Sequence, residues 1–390
     1  MFAPRAPRKG RRWGPPFLAP AGGGPPRGFR EGLVRHSRHE IASLTLPARF
    51  WKWRMRGAAV WFADRIASEG AAADLILATD FLNTADLRGL LRTPLDRAPL
   101  LLYMHENQLT YPLSPDEEFD FHFGFTNILS CLSADRVLFN SAFHRDLFLD
   151  ALSDYLGRMP EAVPRDVRPR LARKSGVLPV GLERAPHPPD AFAPYLGGDC
   201  DAGTGPGWPR DGREPVILWN HRWEFDKRPE LFAGALTRLA RAGRRFRVRL
   251  LGEPRQRDDV FADLRARLGD RIEVCGWEPS RAAYDALLAS SDIVVSCAVQ
   301  EYFGISVAEA VHAGAYAVLP RAQVYPSLYG ERCRGRHLYE GETELVSLLD
   351  DLLAQAGCGH VCSLPLVCDE FCWERLAPRY DALFEEMTGR

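Results

Sequence analysis

Short apolar runs alternate with amphipathic stretches along the chain from about residue 40 onward. The apolar runs are bounded by polar turns and cover residues 75–79, 100–104, 136–140, 177–180, 216–220, 246–251, 272–275, 293–297 and 316–319. Amphipathic stretches lie between them, for example at 51–67, 143–156, 229–242 and 281–289. This pattern is typical of buried parallel strands that alternate with helices, and it predicts an α/β fold.

A break in the pattern divides the chain. Residues 185–213 contain the segment HPPDAFAPYLGGDCDAGTGPGWP, whose composition is typical of a linker. We expect a first domain at 29–184 and a second at 214–390, with the last helix as a candidate to pack back on the first domain. Each series predicts a doubly wound, Rossmann-like domain. The two domains are expected to face each other across a cleft, with ligands outside the carboxyl ends of the strands.

The first 28 residues differ from both series. They are rich in glycine, proline and arginine, which predicts a low-complexity leader without regular structure. No apolar region follows the basic start, so a signal peptide is not expected. Residues 1–60 hold 13 lysines and arginines against two acids, although the whole chain has a net charge of −1. The balance argues against a wholly basic nucleic-acid binder and leaves a polyanionic partner for the N-terminal half open.

The nine cysteines are scattered and odd in number, which favours reduced thiols in a cytoplasmic protein over a disulfide framework. No apolar run approaches the roughly 18 residues of a membrane span, so no membrane association is expected. One cluster offers ligand types that zinc accepts, although its CxxxC spacings are not the CxxC knuckle. Thiols on a helix face are the favoured alternative, and no metal is expected. The cluster comprises Cys358, His360, Cys362, Cys368 and Cys372.

The segment CAVQEYFGISVAEAV is the most informative part of the chain. A strand runs into a loop that bears Glu301, and Phe303, Gly304 and Ile305 then begin a helix. Free N–H groups at a helix start bind anions, and glycine lets the backbone approach a phosphate. Glu309, just over a turn into the helix, is placed to accept hydrogen bonds from ribose hydroxyls. The alternative is an ordinary turn with two solvated acids.

A pair of cations follows an earlier strand. In VILWNHRWEFDKRPELF, Arg222 and Lys227 stand five residues apart on the loop that enters a helix. Two such cations can bind a diphosphate and stabilise it as a leaving group. The alternative is a pair of surface charges. Because Glu301 follows the same kind of strand end, both loops are expected to meet at one site.

Polar residues also follow a strand of the first series. In LLYMHENQLTYP, His105, Glu106 and Asn107 stand where the N-terminal sheet is expected to face the cleft. His105 is placed to hydrogen-bond a sugar hydroxyl or to transfer a proton. The alternative for a lone histidine is a structural role.

Aromatic and basic residues are interleaved in LPARFWKWRMRG. Trp51 and Trp53 alternate with cations that include Arg54, and the aromatic segment FDFHFGFTN lies further along the chain. Such a mixture can follow a phosphate backbone and stack on bases. The alternative is an amphipathic helix whose tryptophans belong to the core.

Together these segments resemble a known family. Glu301 and Glu309 look like the paired glutamates of retaining GT-B glycosyltransferases of family 4, and Arg222 with Lys227 looks like their diphosphate-binding pair. Four motifs, LPARFWKWRMRG, HENQLTYP with FGFTNILSCLSADRVLFNS, HRWEFDKRPE and EYFGISVAEAV, follow the order of the tRNA-queuosine mannosyltransferase family. The resemblance covers about residues 29–385 and implies a GT-B fold.

The resemblance implies transfer of mannose from GDP-mannose, with retention, to the cyclopentenediol of queuosine at the wobble position of tRNA-Asp. It implies no divalent metal, because the leaving diphosphate takes the acceptor's proton on the same face. His105 and Glu301 would flank the transferred mannose. The donor would be held by Arg222, Lys227, Gly276, Trp277, Phe303, Gly304, Ile305 and Glu309, and the acceptor by Trp51, Trp53, Arg54, Glu106 and Asn107.

One segment departs from the family pattern. The family opens with a strand and a glycine loop that ends in Ser-His, which approaches donor and acceptor. Here the stretch is FLAPAGGGPPRGF, which keeps Gly22, Gly23 and Gly24 but has Pro25 and Pro26 in place of Ser-His. Proline has a fixed φ and no N–H to donate. The residues before the glycines do not predict a strand.

Two other functions stay open from the sequence. One is a GT-B glycosyltransferase that acts on a lipid or a small-molecule acceptor. The other is a protein that binds tRNA or a nucleotide and has lost catalysis through its altered N-terminal loop.

Overall fold

The computed structural model describes residues 17–19, 24–70, 73–114, 116–184, 213–254, 256–330, 336–354 and 364–389. The chain forms two compact units. The first consists of Met1–Gly181 together with Trp373–Arg390, and the second consists of Leu182–Cys372. The last helix belongs to the first unit, whereas the predicted second domain extends to residue 390 with that helix as a candidate to pack back on the first domain.

Within the described residues, the strands in chain order form two sheets of six. They are β1 (Phe17–Ala19), β2 (Ser43–Thr45), β3 (Ile76–Thr79), β4 (Leu100–Met104), β5 (Arg136–Phe139), β6 (Ser175–Val177), β7 (Val216–Asn220), β8 (Arg247–Leu251), β9 (Ile272–Gly276), β10 (Ile293–Val295), β11 (Tyr316–Pro320) and β12 (Leu338–Tyr339). Their order is β2-β1-β3-β4-β5-β6 in the first sheet and β12-β11-β10-β7-β8-β9 in the second.

The helices alternate with these strands. They are α1 (Gly24–His36), α2 (Trp51–Glu69), α3 (Thr84–Leu90), α4 (Phe121–Ser133), α5 (Ala142–Leu156), α6 (Val167–Lys174), α7 (Pro229–Arg241), α8 (Asp258–Leu268), α9 (Arg281–Ala289), α10 (Ile305–His312), α11 (Tyr325–Tyr329), α12 (Gly341–Ala354), α13 (Leu364–Asp369) and α14 (Trp373–Thr388). No helix among the described residues combines the length and apolar character that a membrane crossing requires.

Local sequence explains where several helices begin. The Ser141 hydroxyl accepts the N–H of His144 at 3.0 Å and caps α5, and Ser280 caps α9 in the same way. Pro229 occupies the first turn of α7, where its missing N–H would have no acceptor in any case. These turns follow strand ends and set the geometry of the loops on that edge of each sheet.

In the first unit, β3 and β4 are buried on both faces, which explains why their sequences are continuously apolar. The two strands pair in parallel, with Ile76 opposite Leu100. Helices α2 and α5 cover the sheet, and they contribute Phe62 and Phe148 to the core.

The predicted leader was wrong for part of the first 28 residues. Strand β1 pairs in parallel with β2 and β3, Leu18 is fully buried, and α1 begins at Gly24. Pro25 and Pro26 lie in the first turn of α1, where proline is tolerated. A composition rich in glycine and proline therefore did not exclude regular structure in this part of the chain. Residues 1–16 and 20–23, with Gly22 and Gly23, lie outside the described residues.

The second unit repeats the architecture. All pairs in its sheet are parallel, and β7 lies between β10 and β8. Trp219 of β7 is fully buried against Phe232 of α7 and Phe261 of α8. Nearly all of the predicted linker, residues 185–212, lies outside the described part of the chain.

Helix α14 completes the core of the first unit. Trp373 fills space against Gly32, where an added Cβ would lie 2.0 Å from the indole. Its ring also lies 5.8 Å from that of Phe29, and Tyr380 approaches Phe29 at 5.4 Å. This aromatic cluster explains why the end of the chain belongs with its beginning.

Candidate active site

In the second unit, the loops after β7 and β10 meet, as the sequence predicts. The two strands are neighbours in the sheet, so both loops leave from the same edge. The N–H of Val299 donates to the carbonyl oxygen of Asp226 at 2.8 Å, which links the loops through their backbones. The result is a fixed arrangement of the cationic and acidic side chains that these loops carry.

Lys227 lies at the centre of this arrangement. Its Nζ donates to the carbonyl oxygen of Gln300 at 2.8 Å and lies 3.0 Å from Asp226 Oδ2 and 3.4 Å from Glu301 Oε2. The side chain is only 9% exposed. Burial alone lowers the pKa of Lys227, but Glu301 and Asp226 outweigh it, and the pKa stays above its ordinary value. Lys227 is therefore a buried, permanent cation.

The start of α10 lies beside this cation. Gly304 has a φ of 76°, and an added Cβ would lie 3.1 Å from the ring of Tyr325, so glycine is required here. The N–H of Gly304 donates to Glu301 Oε1 at 3.0 Å. Glu301 therefore bridges Lys227 and the helix start. In this structure the Gly304 amide is occupied, and the N–H groups of Ile305 and Ser306 are the ones that begin the helix without an intrahelical acceptor.

Glu309 lies further along α10 and is held on both oxygens. Oε1 accepts from Arg281 Nη1 at 2.7 Å, and Oε2 accepts from the Tyr284 hydroxyl at 3.2 Å. Burial raises the pKa of Glu309, although Arg281 opposes that effect. Each carboxylate oxygen can accept a second hydrogen bond. The carboxylate can therefore receive a ligand hydroxyl while Arg281 and Tyr284 keep it in place.

The structure adds Asn220 and His221 to this site, which the sequence analysis passed over. Asn220 Nδ2 donates to the carbonyl oxygen of Ser306 at 2.7 Å, and His221 Nδ1 lies 3.3 Å from Ser306 Oγ. His221 Nε2 is buried and contacts no polar group among the described residues. Burial and the charge of Lys227 lower the pKa of His221 to about 4, so the ring is neutral. Their position at the end of β7 was the signal that could have identified them.

Three other predicted donor residues lie on the surface of this unit. Arg222 pairs with Glu224 at 3.2 Å and is 43% exposed, so it is open to a ligand. Gly276 ends β9 with a φ of 132°, and the Trp277 side chain that follows is 67% exposed. Strand β9 is the edge strand next to β8, two positions from β7. The contact of this turn with a base stays a prediction.

In the first unit, His105 follows β4 and is 7% exposed. Its ring lies 5.3 Å from that of Phe29 and 4.8 Å from that of Tyr103. Burial lowers the pKa of His105 to about 3, and neither ring nitrogen contacts a polar group among the described residues. A neutral imidazole offers one donor and one acceptor. This environment favours a hydrogen bond to a hydroxyl over proton transfer.

The loop around His105 is held by Asp80, which the sequence analysis did not identify. Asp80 follows β3, and its carboxylate accepts the N–H groups of His105 at 3.2 Å and Glu106 at 3.3 Å. Burial and the nearby charge of Glu106 raise the pKa of Asp80 well above its ordinary value. Asn140, after β5, donates to the carbonyl oxygen of His105 at 2.9 Å. Residues at the ends of three adjacent strands thus fix this loop.

The two other predicted residues of the loop differ in exposure. Glu106 is half-buried and accepts from Gln108 Nε2 at 3.0 Å. Asn107 is fully buried, and its side-chain oxygen accepts the N–H groups of Leu109 and Thr110 at 3.0 and 3.1 Å. Asn107 therefore shapes the turn, and its contact with an acceptor stays a prediction.

The aromatic residues of α2 have different environments. Trp51 is half-buried, with its ring 5.8 Å from that of Phe81 and 5.1 Å from that of Phe123. Trp53 is 66% exposed. Arg54 is half-buried, and its Nε contacts no polar group among the described residues. One tryptophan therefore packs on the protein and the other faces solvent, and the contact of this helix with RNA stays a prediction.

The cysteine cluster is only partly described. Cys358, His360 and Cys362 lie outside the described residues, whereas Cys368 and Cys372 are buried free thiols. Cys372 Sγ lies 3.5 Å from His312 Nε2 and 3.9 Å from Asp369 Oδ1. Asp369 also pairs with Arg184 at 2.7 Å, so its charge is already balanced.

The fold matches that of solved glycosyltransferase structures. Sucrose-phosphate synthase from Thermosynechococcus elongatus matches with a TM-score of 0.67 at 15% identity, over 97% of this chain and 100% of that one. Anabaena HepE in complex with UDP and glucose matches with a TM-score of 0.62 at 16% identity, over 96% and 100%. At these identities the likeness shows the fold alone. Residues 206–357 match the family described as Glycosyl transferases group 1. The fold and this match define a GT-B glycosyltransferase.

The N-terminal unit identifies the family. Residues 17–182 match the description tRNA-queuosine alpha-mannosyltransferase N-terminal. The Drosophila melanogaster protein named tRNA-queuosine alpha-mannosyltransferase is 35% identical over 302 residues, which cover 77% of this chain and 76% of that protein. The chain belongs to the tRNA-queuosine alpha-mannosyltransferase family and is a hexosyltransferase.

Proposed function

We propose that this enzyme transfers mannose from GDP-mannose, with retention, to the cyclopentenediol of queuosine at the wobble position of tRNA-Asp in the cytoplasm. Family membership supports the sugar and the acceptor, since the Drosophila relative is named for this reaction. The observation that carries the donor side is the meeting of Lys227, Glu301 and the start of α10. A buried cation beside free helix amides is a site for a diphosphate.

In the proposed complex, the diphosphate lies against the N–H groups of Ile305 and Ser306, with Arg222 and Lys227 on its other oxygens. Glu309 accepts hydrogen bonds from the ribose hydroxyls, for which Arg281 and Tyr284 hold it in position. His221 donates from Nε2 to a phosphate oxygen. His105 and Glu301 contact the mannose hydroxyls.

Transfer breaks the bond between mannose C1 and the β-phosphate oxygen. A bond forms between C1 and the acceptor hydroxyl oxygen on the same face, and the acceptor's proton passes to the departing phosphate oxygen. Negative charge grows on the diphosphate as the C1 bond breaks. Arg222, Lys227 and the N-terminal end of α10 stabilise that charge, and this stabilisation lowers the barrier.

We propose that the reaction needs no divalent cation. The two cationic side chains and the helix amides supply the positive charge that a metal ion supplies in other transferases. Turnover in excess EDTA should equal turnover in added Mg²⁺. A loss of activity in EDTA that Mg²⁺ or Mn²⁺ restores would overturn this part of the proposal.

The test of the function uses the purified full chain with labelled GDP-mannose and two tRNA preparations, one with queuosine and one without. Mass spectrometry of the digested nucleosides should show queuosine carrying one hexose only in the first preparation. UDP-glucose, UDP-galactose and GDP-glucose serve as alternative donors. The one-bond coupling between C1 and H1 of the transferred mannose, measured by NMR, should show the same anomeric configuration as in the donor. Transfer to tRNA that lacks queuosine would point to another acceptor.

The altered N-terminal loop makes a second measurement necessary. Pro25 and Pro26 stand where the family has Ser-His, so the enzyme is expected to work without that contact. Binding of GDP-mannose and tRNA without turnover would instead indicate that catalysis is lost. A double substitution, Pro25→Ser with Pro26→His, that restores turnover would locate the loss in this loop.

A further inference from the structure

The first turn of α2 exposes two large aromatic side chains. Phe50, the residue before the helix, is 69% exposed, and Trp53 is 66% exposed. They are among the most exposed large apolar side chains in the described part of the chain. Exposed aromatic rings of this size cost hydration free energy and are a sign of an interaction surface.

A glycine inside helix α2, Gly57, lies against the ring of Trp53 and lowers the stability of the helix. Gly57 lies one turn further on, and a Cβ added there would lie 3.2 Å from Trp53 Cε2 and Cζ2. Glycine inside a helix costs about 1 kcal/mol relative to alanine. With no side chain at position 57, the indole can lie close to the helix backbone. One face of the ring is thereby supported, and the exposed remainder is available to a flat ligand.

Phe50 is held in a conformation that bulky residues avoid. Its φ of 55° and ψ of 44° place it in the left-handed region. This conformation costs a non-glycine residue roughly 1 to 3 kcal/mol. The N–H of Arg54 donates to the Phe50 carbonyl oxygen at 3.0 Å, so the strained residue begins the helix directly. Backbone strain that carries an exposed ring to the surface is typical of a binding position.

Three cations close to Phe50 and Trp53 in the sequence differ in their partners. The Arg49 guanidinium lies 5.6 Å from the centre of the Phe50 ring, and Arg49 makes no ion pair with any described residue. Lys52 pairs with Glu117 at 2.9 Å, and Arg56 pairs with Asp120 at 2.8 Å. Arg49 is therefore the cation of this surface most open to a phosphate. Aromatic rings beside such a cation fit unpaired nucleotides, because bases stack on the rings while the backbone lies against the charge.

We propose that Phe50 and Trp53 form a stacking platform for two unpaired nucleobases of an RNA loop, with Arg49 on the phosphate between or beside them. The proposal deepens the proposed function and rests on it for the choice of tRNA as acceptor. It replaces Trp51 by Phe50 as the second stacking ring, since Trp51 packs on Phe81 and Phe123. The platform belongs to the first unit, whereas the proposed donor residues Lys227 and Glu309 belong to the second.

The first test measures binding of an anticodon stem-loop RNA by filter retention, without donor. Phe50→Ala and Trp53→Ala are each expected to raise Kd about 5- to 150-fold, the range for loss of one stacked base. Trp53→Phe should recover most of the affinity. Trp61→Ala is the matched control, because Trp61 lies on the same helix, is 41% exposed and packs edge-on against Phe62. Its Kd should equal that of the unaltered enzyme.

The second test separates stacking from charge. An RNA of the same length with abasic loop nucleotides should bind the unaltered enzyme weakly. Its Kd should be the same for Trp53→Ala as for the unaltered enzyme. Arg49→Gln should reduce the slope of log Kd against log salt by about 0.7, the value for one phosphate of a single strand. Equal weakening of the intact and abasic RNAs by Trp53→Ala would overturn the platform.

Transfer assays separate this proposal from the proposed function. The platform variants should raise KM for tRNA and leave KM for GDP-mannose unchanged. Normal transfer and normal RNA affinity in both alanine variants would refute the platform and keep the function. RNA binding that depends on both rings, without mannose transfer to any tRNA, would keep the platform and refute the function.

Discussion

The two units hold their candidate site residues by different physical means. In the second unit, charged side chains hold one another: Lys227 lies against Glu301, and Arg281 lies against Glu309. In the first unit, His105 is buried and neutral, and its backbone N–H donates to Asp80. These environments support the proposal that the second unit binds the charged diphosphate and that the His105 loop binds hydroxyl groups.

The two units also differ in how they offset the free-energy cost of burying ionisable side chains. Ion pairs oppose the effect of burial on both Lys227 and Glu309: the pKa of Lys227 stays above its ordinary value, and Arg281 counteracts the rise in the pKa of Glu309. Burial without a charged partner keeps His105 uncharged, because protonation would place a cation in a site removed from water. Substitutions in the second unit should therefore act on rate and donor affinity, and substitutions in the first unit on positioning and pH dependence.

The largest effect is expected for Lys227→Met. The variant removes the cation next to the leaving diphosphate and should lower kcat about 100- to 1,000-fold. It also leaves Asp226 and Glu301 without their shared partner, which should cost about 3 kcal/mol of stability or more. Single-turnover kinetics measure the first effect and urea unfolding the second. Arg222→Gln, at a side chain that is 43% exposed, should lower kcat without the loss of stability. Unchanged kcat in both variants would break the assignment of the diphosphate site.

A smaller effect is expected for Glu309→Gln. The substitution keeps the shape of the side chain but removes the charge that Arg281 faces. A hydrogen bond to a charged group contributes about 1.5 to 3 kcal/mol, so KM for GDP-mannose should rise about 10- to 150-fold. Glu273→Gln is the matched control, since Glu273 also pairs with an arginine, Arg249 at 2.9 Å, on β9. Equal KM values for the two variants would contradict a contact between Glu309 and the donor.

Asp80→Asn tests the positioning of the His105 loop. The amide can accept from only one of the two N–H groups that the carboxylate serves, and we expect kcat to fall about 10-fold. KM for GDP-mannose should change less than kcat, because Asp80 acts on the donor only through the His105 loop. Steady-state kinetics over a range of donor and tRNA concentrations distinguish the two parameters. Asp154→Asn, an exposed residue of α5, should match the unaltered enzyme. A rise in KM for GDP-mannose without a fall in kcat would contradict the proposal that Asp80 positions the His105 loop for transfer.

The smallest expected effect is on stability and concerns pH. The unfolded chain protonates His105 below its ordinary pKa of 6.5, whereas the folded chain protonates it only near 3. The stability contributed by this residue is complete above pH 6.5 and falls as the pH drops toward 3. His105→Gln should remove about 2 kcal/mol of the difference in stability between pH 7 and pH 5. Urea unfolding at both pH values measures it, with the exposed His122→Gln as control. An unchanged difference in His105→Gln would mean that the ring is not held neutral.

The sequence was sufficient for the fold class and for the charged site residues of the second unit. Strands β4 and β7 have the predicted bounds because both are apolar throughout and end at polar residues. Lys227 and Glu301 were predicted to meet because their loops follow strands of one series. Charged site residues of this kind can be predicted from the sequence, because a charged side chain directly after an apolar strand stands out in the pattern.

The site residues of the first unit were harder to predict. Asp80 and Asn140 act on backbone atoms, and nothing in their residue type separates such a role from a surface turn. Strands β1, β2 and β12 are two or three residues long, too short for a hydrophobic period. The partition of Trp51 and Trp53 between core and solvent depends on Phe81 and Phe123, which lie far away in the sequence.

The position of α14 in the first unit has a consequence for biosynthesis. The ribosome makes β1 before Trp373, with the whole second unit between them. The space beside Gly32 and Phe29 therefore stays open until the second unit has been made. The second unit can fold while the nascent first unit still lacks part of its core. A chain that terminates after Cys372 should consequently keep a folded donor unit and fail in the unit that was synthesised first.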